Sequence, residues 1–344
     1  MLDKLINETY SHLLLYRKRY ILKNLNLFKA GVIALSVVLI ACAGGSSAEA
    51  GCPVIEDRKI NVVATTPMIG EFVSQVGGDN INLSIIMPPE ADPHTYEPAP
   101  QDAGTIADAD LIFYTGLKYE QASVIKLLES SACSTDAIAE VGENVFPIEF
   151  TEDGDDDHDE EGHEGHGHGA YDPHFWFDPN RVAYAAEYIE SKLVEFDPSN
   201  ATNYQSARSS YTDELKGLIG QVSELISTVP SQNRKLITTH ESLGYLEAKF
   251  GLEVLSTIIP SLTSANEISP DELVNVIDVI EDNNVKVIFI EAEAPSVYAE
   301  TIVAETGIKA VEGLWVETLK PGQSYPDFLI EAVELIVENL RNED

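Results

Sequence analysis

The chain has 344 residues, with 21 Lys+Arg against 58 Asp+Glu, a formal net charge of -37. That length is enough for two lobes, each with its own core. So acidic a chain repels nucleic acid and anionic membrane surfaces, and it suits cations.

The charge is split along the chain. Residues 1–41 hold six basic and two acidic residues, whereas the remaining 303 hold 15 basic and 56 acidic. Arg17, Lys18, Arg19, Lys23 and Lys29 precede an apolar run whose core, Gly31 to Ile40, is too short to span a bilayer. Residues 1–41 therefore read as a signal peptide. Its basic part is longer than usual, which leaves room for a start downstream of Met1. The run ends "LIAC", a bacterial lipoprotein pattern, so Cys42 is the expected lipidation site and 42–58 a flexible tether. An ordinary signal peptide followed by an incidental Cys is the alternative. Two cysteines remain, Cys52 and Cys133. In an exported chain they allow one disulfide, and two unpaired thiols are the alternative.

Strands and helices then alternate. Strands are expected over 59–65 ("KINVVAT"), 81–87 and 110–116, with a helix from Pro67 to Val76. This βαβ rhythm predicts a parallel sheet in an N-terminal α/β lobe over 59–196. An acidic, His-rich loop, 151–169, interrupts it without periodicity or an apolar core. Helical spacing returns over 180–196 and 197–229. The second stretch is long enough to act as a strut between lobes. The alternation resumes in a C-terminal lobe over 230–344. Its strands are expected at 234–240, 252–258, 285–292 and 308–314, and its helices at 269–283 and 296–307.

Two stretches echo each other, "ADPHTYEPAP" (91–100) and "YDPHFWFDP" (171–179). Each puts a histidine, His94 or His174, after Asp-Pro, where a stiff loop presents the ring at small entropic cost. His240 lies at the carboxyl end of its strand, where parallel α/β sheets bind ligands. Three histidines on three loops suit a metal ion such as zinc. For any one of them, a hydrogen-bonded structural histidine is the competing reading. A fourth, carboxylate ligand is expected from Glu317 in "LWVETL", with Glu291 and Glu293 as weaker candidates. Tyr96, Trp176, Tyr245 and Trp315 can wall the site or be plain core.

In order along the chain, "DPHTYEP", "DPHFWFDP", "TTHESLGYLEAKFGL", "IFIEAEAPSVYAETIVAETG" and "LWVETL" resemble the motifs of the metal-binding solute receptors of bacterial ABC importers for zinc and manganese. The likeness covers roughly residues 59–340. It implies two α/β lobes, each with a mainly parallel sheet, joined by one rigid helix. The ion is implied to lie in the cleft between His94 and His174 on one side and His240 and a carboxylate on the other. Histidine at the third position is more usual in zinc receptors of this kind, while Glu there marks some manganese receptors. The fourth position is commonly Asp, so Glu317 departs from the pattern by one methylene, and a water can take its place. The resemblance also implies an accessory, weakly binding metal loop carrying His158, His163, His166 and His168. An exported receptor of this kind, anchored by its lipid, works as a monomer with a membrane permease and has no enzymatic role.

Three rival readings remain. One is a zinc-dependent hydrolase, for which Glu241 beside His240 is the only obvious base and no HExxH motif exists. A role in cell adhesion is secondary, since the chain shows no dedicated binding module. A manganese or iron receptor stays open within the same class. Ion affinity is expected to fall as pH drops below a histidine pKa near 6.5. Lobe closure is expected to be a small tilt.

Overall fold

The computed structural model describes residues 58–150, 170–283, 285–294 and 297–341. The expected signal peptide, Cys42, Cys52 and the four histidines of the expected 151–169 loop lie outside these residues.

Four short parallel strands build the first sheet: β1 (Ile60–Ala64), β2 (Ile81–Ile85), β3 (Leu111–Tyr114) and β4 (Ile138–Glu140), in the order β2-β1-β3-β4. β1 and β3 are almost wholly buried, as strands covered on both faces must be. Helix α1 (Pro67–Gly77) starts where Thr66 accepts a hydrogen bond from the Ile69 amide and Pro67 needs no donor of its own. Two short helices, α2 (Asp102–Ala107) and α3 (Ala122–Ser131), complete the flanks. Neither these helices nor the three-residue β4 was expected from the sequence: α2 and β4 are too short to show a period, whereas α3 does carry Val124 and Leu128 at helical spacing.

A two-stranded antiparallel pair, β5 (Glu149–Phe150) and β6 (Ala170–Tyr171), flanks the His-rich loop. Helix α4 (Pro179–Phe196) follows, capped by Asp178. The chain then turns at Asp197, whose carboxyl accepts from Ser199, Asn200 and Tyr204 at 2.6, 2.7 and 2.7 Å. Burial opposes its ionisation, but these hydrogen bonds outweigh it and lower the Asp197 pKa. After a 3-10 turn at Pro198–Asn200 the chain enters α5 (Ala201–Ser227), a helix about 40 Å long.

The second sheet repeats the first. β7 (Lys235–His240), β8 (Glu253–Ile259), β9 (Val287–Glu291) and β10 (Lys309–Leu314) are parallel in the order β8-β7-β9-β10, so each lobe follows the same path. Its helices are α6 (Gly244–Phe250), α7 (Pro270–Asn283), α8 (Ala299–Thr306) and α9 (Tyr325–Arg341). In both sheets the connections reverse direction between the first and third strands, which opens a crevice at their carboxyl ends.

Helix α5 packs against α1 and α4 of the first lobe and against α6 and α9 of the second. One core runs through the molecule, from Val62 and Phe113 through Tyr211, Leu215 and Val222 to Phe289 and Val333. A shared core of this kind opposes wide hinge motion, because opening would expose apolar surface. Two exposed glycines, Gly217 and Gly220, lie inside α5, and a Cβ added at either meets nothing within 4 Å. Gly217→Ala and Gly220→Ala should therefore each stabilise the protein by about 0.5–1 kcal/mol and leave ion affinity unchanged. Denaturant titrations beside binding curves check this. A loss of affinity would mean that the helix must flex there.

Candidate metal centre

The two Asp-Pro-His turns are built alike. Asp92 accepts from the His94 amide at 2.9 Å, and Asp172 accepts from the His174 amide at 2.8 Å. Each carboxylate closes an Asx turn that fixes the backbone under its histidine. Beyond that they differ. The second oxygen of Asp92 accepts from Ser264 of the other lobe at 2.8 Å, whereas Asp172 also contacts Nδ1 of the His174 ring at 2.8 Å.

His240 ends β7 and Glu291 ends β9, both at the crevice of the second sheet. Glu291 lies 2.5 Å from His240 Nδ1 and accepts from Ser242 and from the His240 amide. So Glu291, a weaker ligand candidate from the sequence, stands behind a histidine instead of beside it. With Nδ1 engaged by a carboxylate, the free nitrogen of both His174 and His240 is Nε2.

Glu317 sits just past β10, which bulges at Gly313, where φ is +89°. Only glycine holds that backbone without strain, and the bulge re-aims the segment that follows. Glu317 Oε1 lies 2.8 Å from His240 Nε2 and 3.4 Å from Nε2 of both His94 and His174. Donor atoms from all four residues lie within 4.8 Å of one another, and all four side chains are buried. None of the three Nε2 atoms and neither Glu317 oxygen makes a hydrogen bond of acceptable geometry. Five orphaned polar atoms at one point are costly, at about 1–3 kcal/mol each. A tetrahedral ion with bonds of about 2.0–2.1 Å puts its donors about 3.3 Å apart, so the spacing fits a metal ion that draws on all four.

The charges are coupled. Burial pushes the His174 imidazole down, but Glu317 and Asp172 overcome it and raise its pKa to about 9. His240 is likewise raised well above the usual value, with Glu291 and then Glu317 outweighing burial. Glu317 is held well below the usual carboxylate range: burial opposes this, and the imidazoles of His174 and His94 prevail.

Other residues fall into place around this cluster. Tyr119 stacks edge-on against His94 with ring centroids 4.9 Å apart, and its hydroxyl donates to the Glu317 carbonyl at 2.8 Å. It is presented by a turn in which Gly116, Leu117 and Lys118 all have positive φ. Two non-glycine residues there cost about 1–2 kcal/mol each. The turn is held by buried Glu120, which accepts from Thr65 and from the Thr115 and Gly116 amides, and by Glu140, which accepts from the Leu117 amide. Nothing in the sequence marked Tyr119, because its role depends on that strained turn. Trp176 does wall the site, with its ring 5.6 Å from His174 and its Nε1 donating to the Val316 carbonyl at 2.8 Å. Tyr245 acts at one remove by donating to the Asp172 carbonyl. Tyr96 packs instead in a cluster with Val63 and Ile112, and Trp315 lies beneath Lys320. Glu241 accepts from Thr257 and is not part of the donor cluster. A surface cavity of about 660 Å³, lined by His94, Lys118, Tyr119, Gln121 and Thr263 among others, opens beside His94.

Repeated α/β lobes around a buried three-histidine, one-carboxylate cluster define a two-lobed metal-binding receptor. The chain belongs to the ZnuA family, zinc-uptake complex component A periplasmic, whose sequence profile matches residues 62–339. This is a family of receptors, not enzymes. The manganese ABC transporter substrate-binding lipoprotein PsaA of Streptococcus anginosus is 28% identical over 90% of this chain and 97% of its own length. The zinc-binding lipoprotein AdcA of Streptococcus pneumoniae is 29% identical over 88% of this chain, which spans 58% of that protein. The periplasmic zinc-binding protein TroA of Treponema pallidum has the same fold, with a TM-score of 0.70 at 22% identity over 83% of this chain and all of that one. Among the described residues no helix is long and apolar enough to cross a membrane. Cys133 is disulfide-bonded, and its partner lies outside the described residues.

Proposed function

We propose that the protein is an extracytoplasmic zinc receptor that captures the ion in the interlobe cleft and delivers it to the permease of an ABC importer. His94, His174, His240 and Glu317 hold the ion. The convergence of five orphaned buried donor atoms carries this reading. Three nitrogen donors favour zinc over manganese, which prefers oxygen. The likeness to a manganese lipoprotein keeps a manganese receptor as the second reading. Cys42 carries the lipid anchor, Cys52 pairs with Cys133, and the receptor works as a monomer whose lobes tilt only slightly. The 151–169 loop collects ions through His158, His163, His166 and His168. A chain without fixed geometry gives up entropy for each ligand it orders, so it binds more weakly than the cleft.

Tight zinc binding in vitro does not by itself assign the cargo, since zinc outcompetes manganese at most nitrogen-rich sites. The test has two parts. Residues 43–344 should hold one zinc tightly, and deletion of 152–168 should remove only weaker ions. Cells that lose the chain should lose uptake of labelled zinc and keep that of labelled manganese. Loss of manganese uptake instead would favour the second reading, and tight binding that disappears with the loop would overturn the cleft.

A further inference from the structure

The Glu317 side chain reaches the donor cluster from an irregular segment, and a long side chain magnifies any error in the backbone that carries it. Glutamate also gives up considerable rotamer freedom when ordered. Something must therefore fix residues 316–318. Two of their carbonyls are held from the first lobe, where Trp176 Nε1 donates to Val316 O and the Tyr119 hydroxyl to Glu317 O. Their amides are held from the second lobe by a single side chain. Glu293 Oε1 accepts from the amides of Val316, Glu317 and Thr318 at 3.2, 3.0 and 3.2 Å, and its Oε2 lies 3.3 Å from the Val316 amide. Glu293 follows β9 by two residues, and the Ala292 amide donates to Leu314 O at 2.8 Å, which ties that loop to the end of β10.

We propose that Glu293 is the positioning residue for the fourth ligand: its carboxyl group gathers the three amides of 316–318 and so aims Glu317 at the ion. Glu293 is not part of the donor cluster. It acts through Glu317 alone. The inference rests on the reading of Glu317 as a ligand.

One oxygen does most of the accepting, so glutamine can replace Glu293 with its carbonyl in the Oε1 position. Alanine leaves three amides without an acceptor. Zinc affinity, measured by competition with a chelator, should fall roughly 10- to 100-fold in Glu293→Ala, the range for groups that orient metal ligands. In Glu293→Gln it should stay within a few-fold of the parent chain. In a Glu317→Ala background, Glu293→Ala should cost nothing further. Cobalt(II) bound in the cleft should give visible bands in Glu293→Ala that resemble those of Glu317→Ala. All variants are made in the otherwise complete exported chain, and thermal melts of the ion-free proteins report folding. An equal loss of affinity from Glu293→Ala in both backgrounds would overturn the positioning role and leave Glu293 a general support of the fold. Unchanged affinity in Glu317→Ala would be a different failure, removing Glu317 from the ligand set and the inference with it.

Discussion

His174→Ala abolishes tight ion binding while leaving the ion-free protein folded. A four-ligand structural zinc site is worth about 10–16 kcal/mol in apparent binding free energy, so one ligand carries about 3 kcal/mol. At about 1.4 kcal/mol per decade, the affinity falls 100-fold or more. The variant gives up the contact of Nδ1 with Asp172, but His174 Nε2 has no hydrogen bond to lose and Asp172 keeps the backbone amide of residue 174, so the fold survives. His240→Ala is equally damaging to binding, and Glu291 keeps Ser242 as a partner. Calorimetry beside thermal melts separates the two effects. Zinc should raise the melting temperature of the parent protein in proportion to the logarithm of free ion, and do so far less in either variant.

Ion affinity keeps rising with pH above neutrality. A neutral His174 ring already has Nδ1 directed at Asp172, so its second proton occupies Nε2, where the ion must bind. With the pKa at about 9, most His174 rings carry that proton at pH 7, and the ion must displace it. One displaced proton gives about tenfold in affinity per pH unit, hence about 100-fold between pH 6 and 8. His240, shifted in the same direction, steepens the dependence, while Glu317 stays ionised throughout. The sequence alone predicted a fall only below pH 6.5; the buried carboxylates move that window upward. For the empty protein the sign is opposite. Charged His174 adds stability that is fully present below pH 6.5 and is lost as pH rises through about 9. Titrations at matched ionic strength, with proton release read in buffers of different ionisation enthalpy, check both statements. An affinity that levels off by pH 7 would contradict them.

The four clustered residues were readable because each sits where local chemistry marks it. Two follow Asp-Pro, one closes a buried strand, and one follows the last strand. The inner strands β1, β3, β7 and β9 were readable because parallel strands buried on both faces appear as apolar runs, and β9 is buried at every residue. Helix α9 offered the same kind of signal, with Phe328, Leu329, Ala332, Val333 and Ile336 on one face. It lies beyond the last chemical motif and was not among the expected elements. The supporting residues were not readable. Asp172 passes as a turn residue, Tyr119 depends on three consecutive positive φ angles, and Glu291 and Glu293 differ from each other only in where the chain turns after β9. Their roles arise from contacts between residues far apart in sequence, such as the 198 positions between Tyr119 and Glu317.

The measurement that bears most directly on this account is X-ray absorption at the zinc edge of the loop-deleted protein carrying one equivalent of zinc. The account predicts a first shell of three imidazole nitrogens and carboxylate oxygen, without sulfur, and one imidazole fewer in His174→Ala. A first shell unchanged in His174→Ala would contradict it, because the ion would then be held somewhere other than the cleft.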